Sequence, residues 1–209
     1  MKVAVFSESP ADDAAVRIIV NGTLGIQTQD IALPNLEVRG WPSLRKNLAP
    51  ILYALHYGVQ AEAIVVVADG DDSPQHLPEH ELAGKADLKC RLCFLRNLIG
   101  QTQQKLKPRA GHGPIKTAVG ISIPAIEAWY LCGKDPTATE AMWFQSGLSR
   151  HGRNHRNSLK RLVYGTDRLT RAFHHRAEEE ARQLVSRLEE LEKLFPTGFG
   201  ALARDLRNW

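Results

Sequence analysis

One apolar run that stops in a cluster of acids constrains this chain more than any other feature. Residues 62–68 read Glu-Ala-Ile-Val-Val-Val-Ala and end in Asp69-Gly70-Asp71-Asp72-Ser73-Pro74. A strand that is apolar throughout, rather than alternately, suits a sheet with both faces covered by helices. The run is far shorter than the roughly 20 apolar residues a membrane span needs, and no other stretch of the sequence approaches that length.

Around this strand the pattern alternates. Residues 2–6 predict a buried first strand, 7–12 a turn with helix-capping chemistry, and 12–20 a helix broken at 21–25. A second strand is expected at 36–38. A helix follows at 43–57, with Leu44, Leu48, Ile51, Leu52 and Leu55 at helical spacing. Residues 85–104 predict a long helix and 107–114 a basic loop rich in glycine and proline. A further strand is expected at 117–122, then a helix over 124–131 with Pro124 in its first turn. Beyond about Pro136 the pattern is helical: an amphipathic helix at 170–194, a turn at 195–199 and a short last helix. Strands alternating with helices predict an α/β domain with a mostly parallel, Rossmannoid sheet over residues 1–135. An all-helical region, 136–209, would pack on it.

Composition narrows the setting. With 43% hydrophobic and 24% charged residues the chain has the makeup of a folded globular protein. The first strand turns acidic at Glu8, so a signal peptide is not expected. Three cysteines, Cys90, Cys93 and Cys132, are too few for a disulfide framework and fit a reducing cytoplasm. Charge is divided unevenly. Residues 1–90 are net −5 (7 basic, 12 acidic), 91–148 net +4 (7 basic, 3 acidic) and 149–209 net +5 (13 basic, 8 acidic). That division suits a carboxylate metal site beside a phosphate-facing surface, or two differently charged solvated faces.

The acids fall where a parallel sheet would gather them. Glu8 follows the first strand, with Asp12 a turn later; Asp69 and Asp71 close the valine-rich strand; Glu127 opens the helix after the last strand. Ligands in open α/β sheets collect outside the carboxyl ends of the strands. Two aspartates two apart, with Gly70 between them, could both address one ion, and hard divalent cations such as Mg²⁺ or Mn²⁺ prefer oxygen ligands. Singly, each acid also has a structural explanation, as a helix N-terminal charge or a turn residue.

Several segments resemble a known pattern. The turn Glu8-Ser9-Pro10-Ala11-Asp12 after a first strand, followed by strand-Asp69-Gly70-Asp71, is similar to the Toprim domain of primases, type II topoisomerases, RNA-maturation nucleases and overcoming-lysogenization-defect nucleases. Ile123-Pro124-Ala125-Ile126-Glu127-Ala128-Trp129-Tyr130-Leu131 resembles the Ile-Glu-x-Trp-x-Leu signature of a bacterial branch of Toprim-like proteins, as do segments 158–162 and 195–202. The resemblance implies a Mg²⁺- or Mn²⁺-dependent nuclease acting on DNA or RNA. Asp69 and Asp71 would bind metal, Glu8 would be a ligand or the general acid/base, and Asp12 and Glu127 would complete the site or hold a second ion. Lys160, or a basic residue of the 107–112 loop, would stabilise charge on the transferring phosphate. Such nucleases often act in bacterial phage defence beside an ATPase partner. In one respect the chain departs from the pattern: Ser9-Pro10 takes the place of the usual glycine. A non-catalytic Toprim-like module that binds nucleic acid or a partner protein is the alternative.

Other features carry less. The stretch Arg150, His151, Arg153, His155, Arg156, Lys160, Arg161 is a phosphate-binding surface or a solvated helix. His151 and His155 lack an evident third ligand for zinc. Cys90-Arg91-Leu92-Cys93 has the spacing of redox and zinc motifs but no second cysteine pair, so packing beside Leu92, Phe94 and Leu95 is expected. There is no glycine-rich loop ending in Lys-Ser/Thr, which excludes P-loop nucleotide hydrolysis. An aspartyl-phosphate phosphatase fits badly, because its Asp-x-Asp normally follows the first strand. Trp129 is expected in the core.

Overall fold

The protein is described from a computed structural model covering residues 1–33, 40–59, 61–109, 113–145, 152–167 and 172–209. Four strands, β1 (Lys2–Phe6), β2 (Gln29–Asp30), β3 (Ala63–Asp69) and β4 (Lys116–Ser122), form one all-parallel sheet in the order β2-β1-β3-β4. Alternation along β3 explains its unbroken apolar run. Ala63, Val65 and Val67 enter one core and Ile64, Val66 and Ala68 the other, so both faces are buried. Helices α2 (Trp41–Ala54) and α3 (Arg91–Gln103) cover one face. The other is covered by α1 (Pro10–Leu24), α4 (Ile126–Tyr130), α6 (Gly152–Tyr164), α7 (Ala172–Leu184), α8 (Leu188–Leu194) and α9 (Phe199–Arg207). Helix α5 (Glu140–Gln145) brings Trp143 into the first core. The fold is α/β and Rossmannoid, with a helical C-terminal region. Among the described residues, no helix is long and apolar enough to cross a membrane.

Where the structure departs from the pattern, local chemistry gives the reason. Helix α1 starts earlier than expected because Ser9 caps it, its hydroxyl accepting from Asp12 N at 3.1 Å, and Pro10 takes the first turn. It runs through Asn21 and Gly22 and ends at Gly25, whose φ of 66° is the left-handed cap glycine favours. The strand expected at 36–38 lies outside the described residues, whereas Gln29–Asp30 pairs with β1. Helix α2 ends at Ala54, and a π-type turn, Leu55–Val59, replaces its expected last turn. Helix α3 begins only at Arg91, because Cys90 is extended (φ −69°, ψ 120°) and turns its thiol toward His76. Pro124 lies ahead of α4 rather than in its first turn. The helix expected over 170–194 is divided by a 3₁₀ turn, Val185–Arg187.

Candidate functional site

In this strand order the chain leaves β1 toward one edge and returns on its other side at β3. The β1–β3 seam is therefore the topological switch point, the place where open α/β sheets generally bind their ligands. Glu8 stands two residues past β1, and Asp69 is the last residue of β3. They meet directly, Glu8 Oε1 accepting from Asp69 N at 3.2 Å. The neighbouring strand end supplies the rest. Ser122 Oγ donates to Asp69 Oδ1 at 2.8 Å, and Ile126 N donates to the same oxygen at 3.1 Å. That second bond ties the start of α4, and with it Glu127, to the end of β3. Ser9 both caps α1 and donates to Asp12 Oδ2 at 2.7 Å, holding the fourth carboxylate.

These carboxylates share an environment that opposes their charge. Burial, and then the Asp69 carboxylate, push Glu8 up to about 7 against the pull of Arg91. The same two causes raise Glu127 to about 7 and carry Asp12 well above its usual value. Asp69 is raised by burial, opposed by its Ser122 hydrogen bond and by Lys160. Glu127 is 4% exposed, and its Oε2 has no hydrogen-bond partner among the described residues. Tyr130, on α4, is fully enclosed with its hydroxyl likewise unpartnered, and burial holds the phenol well above its usual range.

Asp71 behaves differently. It adopts a left-handed conformation (φ 44°), its N–H donating to Pro124 O at 2.9 Å, and its carboxylate pairs with Arg91 at 2.8 Å and with Arg156. The structure thus brings Glu8, Asp12, Asp69 and Glu127 together, while Asp71 meets the arginines. Gly70 serves the strand ends: a Cβ there would come within 3.2 Å of Ser122 O and 3.0 Å of Ile123 Cγ1.

Arg91 escaped the sequence reading. Its guanidinium donates to the Asp69 carbonyl, stands 3.5 Å from Glu8 and lies over the Trp41 ring at 4.5 Å. A lone arginine at a helix start gives no sequence signal; Trp41 gives none either. From α6, Lys160 acts electrostatically on Asp69 and Glu127. Of the other basic residues in that stretch, His155 packs on Trp143 and Arg161 pairs with Asp167; Arg150 and His151 lie outside the described residues, as does the side chain of Arg153. Lys107 is at the wrong end of the sheet for a role here. Lys107 bonds His56 and Tyr57, ahead of β3, so it sits at the amino ends of the strands. His112 lies outside the described residues.

The rim gathers carboxylates, the ligand type hard divalent cations prefer, and its buried Glu127 Oε2 has no partner among the described residues. Yet among the described residues the side chains tight enough to hold an ion together lie elsewhere. His76, His80, Cys90 and Cys93 bring one ligand atom each within 4.8 Å of one another. This cluster could hold a metal ion. Cys90 and Cys93 pack in the core beside Leu92, Leu95 and Phe94 as expected, and meet in addition a histidine pair that the sequence signalled by His-x3-His before Cys-x2-Cys. Trp129 is in the core as expected, edge-on to Phe199 at 5.5 Å.

Comparison with protein-family models, curated proteins and solved structures finds nothing that matches this chain. Fold and site define its class: a parallel α/β protein with a cluster of buried acids at the sheet's switch point.

Proposed function

We propose that the protein is a Toprim-like, metal-dependent nuclease that hydrolyses phosphodiester bonds in nucleic acid, with Mg²⁺ or Mn²⁺ on the rim. One observation carries this reading: the buried Glu127 Oε2, without a hydrogen-bond partner among the described residues, beside Glu8, Asp12 and Asp69 at the switch point. A buried carboxylate oxygen without a donor is costly unless a cation or a proton compensates it. Asp12, Asp69 and Glu127 would hold the cation, with Glu8 as a further ligand or as the general acid/base, and Asp71 joining once its arginines engage substrate. When bound, the ion supplies Lewis-acid polarisation of the phosphoryl oxygen and an acidified water. The chain's own groups do the rest. Arg91, Arg156 and Lys160 bind the phosphate, and Arg91 is oriented by Trp41. In the general acid/base role, off the ion, a Glu8 carboxyl that burial pushes up to about 7 suits proton exchange with the attacking or leaving oxygen near neutral pH.

This sequence carries no P-loop, so in this reading an ATPase partner would supply any P-loop ATP hydrolysis, as in a cytoplasmic phage-defence effector. The pairing of Asp71 with Arg91 and Arg156 favours a second reading, a nucleic-acid- or partner-binding module whose acids are structural. The test incubates the protein with single- and double-stranded DNA and RNA, with Mg²⁺, Mn²⁺ or neither, beside an Asp69→Asn/Asp71→Asn variant. Metal-dependent cleavage that the variant loses by more than about 100-fold, beyond the range for disturbing a metal's outer partners, supports the nuclease. Binding without cleavage, and no thermal shift on adding Mg²⁺ or Mn²⁺, supports the module.

A further inference from the structure

We infer that His76, His80, Cys90 and Cys93 form a structural zinc site that staples the 70–90 connection to the start of α3. The distances have the right size. Cys90 Sγ lies 3.6 Å from His76 Nδ1, and Cys93 Sγ lies 3.4 Å from His76 Nδ1 and 3.5 Å from His80 Nδ1. Four ligands at ordinary Zn–S and Zn–N lengths around a tetrahedron stand about 3.5 Å apart. Leu77 N also faces His80 Nδ1, but at 3.4 Å it is too long to compete strongly.

The surroundings are those of a metal-bound histidine. His76 turns its other nitrogen to Glu81 Oε1 at 2.9 Å, and Arg96 holds that carboxylate oxygen at 2.7 Å. A carboxylate on the far nitrogen fixes the tautomer that leaves Nδ1 free to ligate. Two thiolates and two imidazoles select zinc over the hard cations of the rim, and four protein ligands leave no open position for substrate. Binding releases the two thiol protons to solvent.

The connection has little else to hold it. Between β3 and α3 its helical structure is one 3₁₀ turn, Pro78–Glu81, and Leu77, Leu82 and Leu88 are exposed rather than packed. A long irregular segment with so small a core needs another constraint, and a metal supplies one. Arg91 sits between the two cysteines in sequence, so the staple also orients the guanidinium that reaches Glu8 and Asp71.

The test is zinc content of the full chain, purified without a histidine tag. The expected result is about one zinc per chain, retained by Asp69→Asn/Asp71→Asn and lost in Cys93→Ser. Because Cys93→Ser could misfold, two measurements use the wild type alone. Replacing zinc by Co²⁺ should give thiolate-to-cobalt absorption and tetrahedral d–d bands. Alkylation of Cys90 and Cys93, read by mass spectrometry, should become fast only after chelation. A wild-type chain with no zinc and no cobalt–thiolate bands, or with a Cys90–Cys93 disulfide, would overturn the proposal. Zinc lost with the rim aspartates but retained in Cys93→Ser would assign the ion to the rim instead.

Discussion

The acidic rim and the histidine–cysteine pocket lie at the two ends of the same connection, and they answer opposite physical problems. On the rim, four carboxylates are held at a strand seam by the fold, at a cost: burial raises every one of them, and repulsion from Asp69 adds to it at Glu8, Asp12 and Glu127. In the pocket, four soft ligands close to near-tetrahedral spacing around a segment with few apolar contacts of its own. The rim is a strained arrangement that the sheet sustains; the pocket is an arrangement that sustains its own loop. Functional sites commonly draw on stability in the first way, while structural metals add to it in the second.

The sharpest way to break that comparison is to remove one ligand from each. Cys93→Ser should lower folding stability by ~3 kcal/mol or more, since it releases the staple. Asp69→Asn should instead raise the stability of the chain without rim metal by ~1 kcal/mol, a typical stability–activity trade. Its amide oxygen can still accept from Ser122 Oγ and Ile126 N, while the repelling charge is gone. Chemical denaturation of both variants decides it; a destabilised Asp69→Asn would mean that the rim is not strained.

A third test uses pH. Glu8 and Glu127 ionise at 4.5 when exposed and at about 7 in the fold, so between those values the unfolded chain has fewer bound protons than the folded one. Their contribution is complete below about pH 4.5 and is lost as pH rises through about 7. Denaturation midpoints without added Mg²⁺ should therefore fall across that window, and added Mg²⁺ should flatten the slope. An unchanged midpoint would remove the electrostatic half of the comparison.

The smallest effects belong to the basic side. Trp41→Ala takes away the ring beneath Arg91, worth ~0.5–1 kcal/mol of phosphate affinity at a partly exposed site. Arg156→Gln should reduce the slope of log affinity against log salt by about 1 for a bound oligonucleotide, as expected for one lost phosphate contact. A slope unchanged in Arg156→Gln would confine that arginine to its ion pair with Asp71.

Much of the rim was legible because it depends on two local facts, a strand's apolar period and an acid just beyond its end. Once strands alternate with helices, parallel pairing sends their carboxyl ends to one side, and Glu8, Asp69 and Glu127 follow. Asp71 was not legible in the same way. Its position two residues from Asp69 indicated a shared ion, but the turn at φ 44° points it at Arg91 and Arg156. Helical spacing also misled at 85–90, where the side chain of Cys90 is drawn toward His76 and the helix starts later.

From the amino acids alone came the α/β architecture, the burial of both sheet faces, and the acids grouped beyond the strands. All of these follow from period, turn chemistry and chain connectivity, which act over a few residues at a time. The tertiary structure alone decided that β1 lies beside β3, that Arg91 reaches across to Glu8 and rests on Trp41, and that two histidines meet two cysteines. Those contacts join residues far apart in the chain or across an irregular loop, where no repeating pattern records which side chains will face each other.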